Sequence, residues 1–466
     1  MKPIRNSVLS GLAKARALVL LTALFSLTIS SCDDDDNGPS GPTQNVVALA
    51  QGNSNLSTLV TALTKYPDLV TTLSSTTTEF TVFAPTNEAF EGLLDAIGQS
   101  SINDIPESVL RDVLEYHVLA GVAVKSTELT AGAKETVNGE DITVSLTGGI
   151  KLNGTVNVTT ADVEATNGVV HVIDAVLVPP TIVPIVGTIV APAYFNKNFT
   201  TLIAAVKAAS PSILTTLLNG TQKTLFAPTN DAFVAAGITN LPDQSTLDAV
   251  LAYHVISGAA VEAADIATGS SNATTLNGKI YLSKGSAGVF INGKTKVTAT
   301  DIQGSNGVVH VIDRTLLPPA KTIAQIVSEY ANASSNQQFT KLLQALQRTS
   351  GQSTDLLAAA AAAGDLTVFA PTDAAFTTLG VDLATVDLAT LTKILQHHIV
   401  GARVFSSDLS TGSVPTLYKS VAINVPNLTV TGAKAGETGA NLQPTLLNIH
   451  ATNGVVHVID KVLLPE

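Results

Sequence analysis

A chain of 466 residues with 37 Asp and Glu against 25 Lys and Arg has room for roughly three domains of about 150 residues each, and its net charge of −12 argues against nucleic acid or anionic lipid as an electrostatic partner. Trp is absent and aromatics make up 4% of the chain, so no groove of stacking rings for sugars or bases is advertised. The single cysteine excludes a disulfide framework.

The chain opens on a basic head, Lys2, Arg5, Lys14 and Arg16, and an apolar run from Ala17 to Ile29 that is too short for an ordinary membrane span. Ile29-Ser30-Ser31-Cys32 then sets an aliphatic residue and two small residues before the cysteine. This resembles the lipobox of bacterial lipoproteins, which implies a signal peptide over residues 1–31 and lipidation of Cys32 as the first mature residue. The alternative is a plain secretory signal beside a chance cysteine. Residues 32–44 read as a linker, because the like charges of Asp33 to Asp36 and the Gly/Pro mixture behind them cannot fold. Such an acidic run also resembles the export tag that carries lipoproteins to the cell surface in some Gram-negative groups. A calcium loop is a poor fit, since the alternating spacing and turn glycine are missing.

Two phrases then recur in fixed order. TVFAPTNEAF from Thr81, TLFAPTNDAF from Thr224 and TVFAPTDAAF from Thr367 are one phrase; TNGVVHVID from Thr166, SNGVVHVID from Ser305 and TNGVVHVID from Thr452 are the other. The period is domain-sized, so the chain is a row of domains, 45–180, 181–319 and 320–466, and not a solenoid. Pro179-Pro180 and Pro318-Pro319 punctuate very short joins, which should keep neighbours close and only modestly free to swing.

Within a repeat, Phe80 to Ala84 reads as a strand, and Ala84 is held extended by Pro85. Thr86 reads as a helix N-cap with Asn87 and Glu88 in the first turn, and Phe90, Leu93, Leu94 and Ile97 follow at helical spacing. A second helix puts Leu110, Val113, Leu114 and His117 on one stripe, as it does Leu247, Val250, Leu251 and His254, and Leu391, Ile394, Leu395 and His398. The repeat ends in strands on either side of Asn167-Gly168, Asn306-Gly307 and Asn453-Gly454, which read as tight hairpin turns with positive φ at both residues. Ala358 to Ala363, closed by Gly364, reads as extra helix inserted in the third repeat.

Six of the eight histidines occupy matching places: His117 and His171, His254 and His310, His398 and His457. A metal or acid–base pair per domain is the functional possibility. The expectation is a core histidine at each place, because their neighbours are Leu, Val and Ile and further ligands at short spacing are missing. The unmatched His397 and His450 are expected at the surface. Gly288 to Thr295 fits the phosphate-loop pattern by letter, ending Gly293-Lys294-Thr295, but its middle is strand-like and Thr295 to Thr300 continues as β, so it reads as a hairpin with an Asn292-Gly293 turn. Nucleophile elbow, zinc-helix and dinucleotide patterns do not occur. No cofactor and no enzymatic activity are expected.

With FAPT-N/D-x-AF, Tyr-His and NGVVHVID in that order three times over, nearly all of the chain after the linker resembles the fasciclin-like domain family. The third repeat departs in having His397 where the others have Tyr116 and Tyr253. The resemblance implies an α/β (α+β) fold: three tandem compact domains, each a wedge of twisted strands with packed helices. It also implies a non-catalytic extracellular module for cell adhesion or matrix binding, and in the family the Tyr-His neighbourhood has been tied to adhesion, a role left in doubt for the third repeat. Candidate binding residues are therefore Thr86, Asn87, Thr229, Asn230, Thr372 and Asp373 at the corners, with Tyr116 and Tyr253; the plainer reading is that these cap helices and fill the core. The function expected is a lipid-anchored envelope protein, outer-membrane and outward-facing, whose modules bind matrix protein, polysaccharide or another copy of itself with avidity. The alternative is an envelope-tethered protein capturing glycan or a small ligand for an uptake system.

Overall fold

The strand Phe80–Pro85 organises the first repeat because both of its faces are buried. It runs parallel to Gly168–Ile173 and antiparallel to Val118–Ala120. Alternate side chains leave it in opposite directions. Phe80 and Ala84 join a helix-side core with Phe90, Leu110 and Leu114, while Phe83 joins a strand-side core with Tyr116, Ile142, Leu152 and Ile173. Phe80 is 1% exposed and Phe83 0%, and each such burial contributes about 1.5–3 kcal/mol. The computed structural model describes residues 41–466 apart from residue 336. The expected signal segment and lipidation site at Cys32, with the Asp33 to Asp36 run, lie outside the described residues.

Beyond Gly168–Ile173 the sheet continues through Val156–Ala165, Lys151–Leu152 and Asp141–Ser145 to Gly132–Glu135, seven strands in all. The second repeat has a seven-stranded sheet of the same order, built round Lys223–Pro228 and Gly307–Ile312. In the third the sheet parts into two four-stranded pieces. The long strand seen at Val156–Ala165 and Thr295–Gly304 is interrupted there: Ala440–Asn441 and Ile449–Ala451 are separated by a 3-10 turn at Pro444–Leu446. Pro444 has no amide to give a ladder, which accounts for the break.

Each helix after the corner begins where the sequence indicates. Asn87–Ile97, Asn230–Ala235 and Asp373–Leu379 are capped by Thr86, Thr229 and Thr372, whose side chains accept from Ala89, Ala232 and Ala375 amides at 3.2, 3.2 and 3.1 Å. The helix Leu356–Ala361 is not an insertion. It occupies the place of Pro67–Leu73: Asn453 Nδ2 donates to its Ala360 carbonyl as Asn167 Nδ2 does to Leu73. The additional residues of the third repeat lie partly between Ile323–Ala331 and Thr340–Arg348 and partly in the loop before Leu356–Ala361, which ends on the extended Ala362, ahead of Gly364.

The Asn-Gly pairs of the closing strands also differ from expectation. Ala165 pairs with Gly168, so the turn residues are Thr166 and Asn167, and neither has positive φ. Asn167 is 2% exposed; its Oδ1 accepts from Val46 N at 2.9 Å, and its Nδ2 donates to Leu73 O and Ser75 O at 2.8 and 2.7 Å. Gly168 is required by packing, since a Cβ would sit 2.0 Å from Phe80 O on the parallel strand. By contrast Asn153-Gly154 and Asn292-Gly293 do turn with positive φ, at 48° and 78° and at 49° and 71°. The phosphate-loop look-alike is thus the hairpin Gly288–Ile291 to Thr295–Gly304.

The two joins are built differently. One apolar core runs without a break from the helices of the first repeat into those of the second, from Val46 and Leu114 to Phe195, Leu202 and Leu251. Lys197 N donates to Asp104 O at 2.8 Å across that join, and Thr181 Oγ1 to Glu140 at 2.8 Å. The third repeat keeps its own two cores, neither shared with the second. Its join is made of hydrogen bonds and ring contacts.

Candidate functional site

The corner residues spend their polar groups inside the domain. Asn87 Oδ1 accepts from Thr58 N at 2.9 Å and its Nδ2 donates to Ser54 O at 2.9 Å, so it caps the preceding helix Ser57–Leu63 while its own helix starts. Asn230 does the same with Thr201 N and Lys197 O, at 2.9 Å each. Asp373 accepts from Lys341 N at 2.8 Å and from the Thr340 hydroxyl, placing a carboxylate on the N-terminus of Thr340–Arg348, where the helix dipole favours it. Thr86, Thr229 and Thr372, with these three, are half-buried.

Tyr116 and Tyr253 lie wholly inside, both 0% exposed, and do not present a ring to a partner. Tyr116 OH donates to Asp141 O at 2.8 Å and accepts from Asn153 at 3.0 Å; Tyr253 OH donates to Lys279 O at 2.8 Å and accepts from Asn292 at 3.1 Å. Burial raises both phenol pKa values, that of Tyr253 to about 12. The expectation that His397 lies at the surface is overturned. It is 0% exposed and fills the tyrosine's place, its Nδ1 bonded to Lys419 O at 3.0 Å and its Nε2 accepting from Ala433 N at 3.2 Å.

The paired histidines are fully engaged. His117 Nδ1–H donates to Val113 O at 2.6 Å and Nε2 accepts from Leu177 N at 2.9 Å. His254 and His398 repeat this with Val250 and Leu316, and with Ile394 and Leu463. Desolvation pushes all three imidazoles down to about 4, so they are neutral at pH 7. The strand histidines hold a bulge. Asp162, Asp301 and Asn448 have positive φ, and their amides donate to Nδ1 of His171, His310 and His457; the opposite Nε2–H donates to Val124, Val261 and Val404 carbonyls. No ring nitrogen is left for a metal in these pairs, and among the described residues no group of His, Cys, Asp and Glu is arranged to hold one.

The join between the second and third repeats is a site the sequence did not indicate. The Asn292-Gly293 turn presses so closely on Phe405 and Asn448 that a Cβ on Gly293 would meet them at 2.6 and 2.8 Å. Asn448 Nδ2 donates to Gly293 O at 2.9 Å, and Ser283 Oγ bonds Ser407 Oγ at 2.7 Å. Arg403 lies 4.6 Å over the Tyr281 ring while donating to Asp365, Ala451 O and Gly454 O at 2.8, 2.8 and 2.7 Å. His450, also expected at the surface, is half-buried here, edge-on to Tyr281 and Phe405 at 5.9 and 5.4 Å. Desolvation, with Arg403 adding to it, pushes its pKa down to about 3. A cleft of about 480 Å³ opens beside this cluster. Lys294, in the motif set aside as a phosphate loop, lines it; nothing in the sequence marked its partners, because they belong to a different repeat.

A family model described as the fasciclin domain matches residues 54–179, 197–318 and 337–465. Human periostin is 26% identical over 399 residues, covering 83% of this chain and 43% of periostin. The transforming growth factor-beta-induced protein ig-h3 of Oryctolagus cuniculus is 28% identical over 406 residues, covering 84% of this chain and 54% of its own length. The chain thus spans about half the length of these relatives. A solved FAS1 domain pair from the insect cell adhesion molecule fasciclin I is 20% identical and covers 57% of this chain and 98% of its own, at a TM-score of 0.26. The three matched stretches hold most of the residues, and each contains the corner, the paired histidines and the closing strand: the chain belongs to the fasciclin domain family.

Proposed function

We propose that this protein is a surface-anchored, non-catalytic adhesion or matrix-binding lipoprotein that uses its fasciclin domains together. The observation that carries the reading is the tandem of three fasciclin domains in one chain. Proteins of this family are associated with cell adhesion and extracellular matrix. The interior polar groups described above are engaged in holding the fold, which directs binding to surfaces and joins. Linked modules raise the effective concentration for the second and third contact, so weak individual affinities suffice. Anchorage rests on the lipobox-like Ile29-Ser30-Ser31-Cys32, and the outward orientation on the acidic run behind it. Partners on this reading are matrix protein, polysaccharide or a second copy.

A second reading, capture of a glycan or small ligand for neighbouring envelope proteins, is favoured by the cleft at the second join. Protease accessibility on intact cells, wild type beside Cys32→Ala, tests the first. Digestion of the anchored protein on whole cells supports adhesion. Protection until the outer membrane is opened replaces it with a binding role inside the envelope.

A further inference from the structure

The cleft between the second and third repeats is cationic in an acidic protein. Lys294, Arg314 and Lys321 line it with Glu329 as the one carboxylate. Lys321 and Glu329 are already paired at 2.6 Å. Among the described residues Lys294 and Arg314 have no carboxylate partner, although Arg314 donates to the Ala235 carbonyl. Desolvation lowers the Lys294 pKa and the neighbouring Arg314 charge lowers it further, so an anion between them would relieve both.

Neutral hydrogen-bonding capacity is left over at the same place. Thr315 is 3% exposed, and its Oγ1 has no partner among the described residues; nor has the buried Nδ1 of His450. Both residues line the cleft. Buried polar atoms without partners are uncommon, so they point to a bonding group that is supplied from outside. A second hollow of about 460 Å³ shares Pro318, Pro319 and His450 with the first and has Lys279 and Arg403 in its wall with no acidic residue. The two adjoining volumes fall in the range of small-ligand sites and together suit consecutive units of a chain.

We propose that the join between the second and third repeats binds an acidic polysaccharide, a uronate-containing glycan whose carboxylate lies at Lys294 and Arg314 and whose hydroxyls meet Thr315 and His450. Charge alone would suit an inorganic anion. The unpartnered neutral groups and the second hollow call for a ligand with hydroxyls and length. The first repeat has Thr155 where the second has Lys294, so its matching turn lacks the cation. The choice of a polymer as ligand rests on the matrix-binding reading above.

The test is titration of the full chain with an oligogalacturonate, a neutral oligosaccharide of equal length and inorganic sulfate, at low and at physiological salt. Wild type should prefer the oligogalacturonate to both. Lys294→Glu should weaken that binding about tenfold or more, with Lys294→Gln intermediate. Lys134→Glu in the first repeat, an equal change of net charge, should leave it unaltered. No preference for the acidic over the neutral oligomer, sulfate competing as well as the sugar, or an equal loss in Lys134→Glu overturns the proposal. Adhesion of cells carrying the same variants separates the two readings. Adhesion without oligogalacturonate binding removes the cleft proposal alone, and binding without adhesion removes the adhesion reading alone.

Discussion

His117→Ala is the sharpest probe of how these domains are held. The imidazole joins Val113 O at the end of one helix to Leu177 N in the segment that leaves the closing strand, with a residue exposure of 2%. Alanine leaves both backbone groups buried and unpaired, about 1–3 kcal/mol each, and adds a small cavity; the total expected is roughly 3–5 kcal/mol at neutral pH. The cost should fall in acid. The folded pKa is about 4 against an ordinary 6.5, so the unfolded chain binds the proton more tightly, and the wild-type contribution is complete above 6.5 and lost as pH falls toward 4. Moving from about pH 7.5 to about pH 5 removes roughly 2 kcal/mol from wild type through this residue, and nothing from the variant. The difference between them should therefore shrink to roughly 1–3 kcal/mol. His254 titrates in both proteins and cancels. Because the chain has no Trp, denaturation is best followed by circular dichroism and by hydrogen exchange over residues 107–120. A gap that does not narrow in acid, or stoichiometric metal lost with the mutation, refutes the reasoning.

Gly168→Ala should destabilise the first repeat by about 3 kcal/mol or more, because its Cβ would overlap Phe80 O; an unchanged thermal midpoint would contradict the close parallel pairing. Asp373→Ala should cost about 1–2 kcal/mol by uncapping Thr340–Arg348, with Asp373→Asn recovering most of it as Asn87 and Asn230 do, read by urea titration. Arg403→Ala should cost the third repeat about 3 kcal/mol and speed hydrogen exchange at residues 449–454 and 278–284, since it removes the buried guanidinium bonds to Ala451 O, Gly454 O and Asp365 and the cover over Tyr281.

The fold was legible where the residue pattern carries its own physics. FAPT contains an extended pre-proline residue and an N-cap in four letters, and the strand and helix follow from them. Histidines set among Leu and Val were readable as core. Asn-Gly was misleading at residue 167, where the asparagine is buried to satisfy three backbone groups of distant segments and the glycine admits a neighbouring strand. His397 was misread for a related reason: its role is that of Tyr116 and Tyr253, but its partners Lys419 and Ala433 are particular to the third repeat. The join was illegible because Tyr281, Arg403, Phe405 and His450 meet only across repeats, and no period in the sequence links them.

The unequal joins give the chain a direction under mechanical load. Parting the first repeat from the second would expose apolar surface from both, whereas the second and third are held by a ring cluster and a few polar bonds that water can replace. A pull along the chain is therefore taken up first at Pro318-Pro319, where extension can be gained with every domain still folded. The elbow that yields is the one that walls the cationic cleft, so tension and occupancy act on the same few contacts: stretching opens the cleft, and anything spanning it stiffens the elbow.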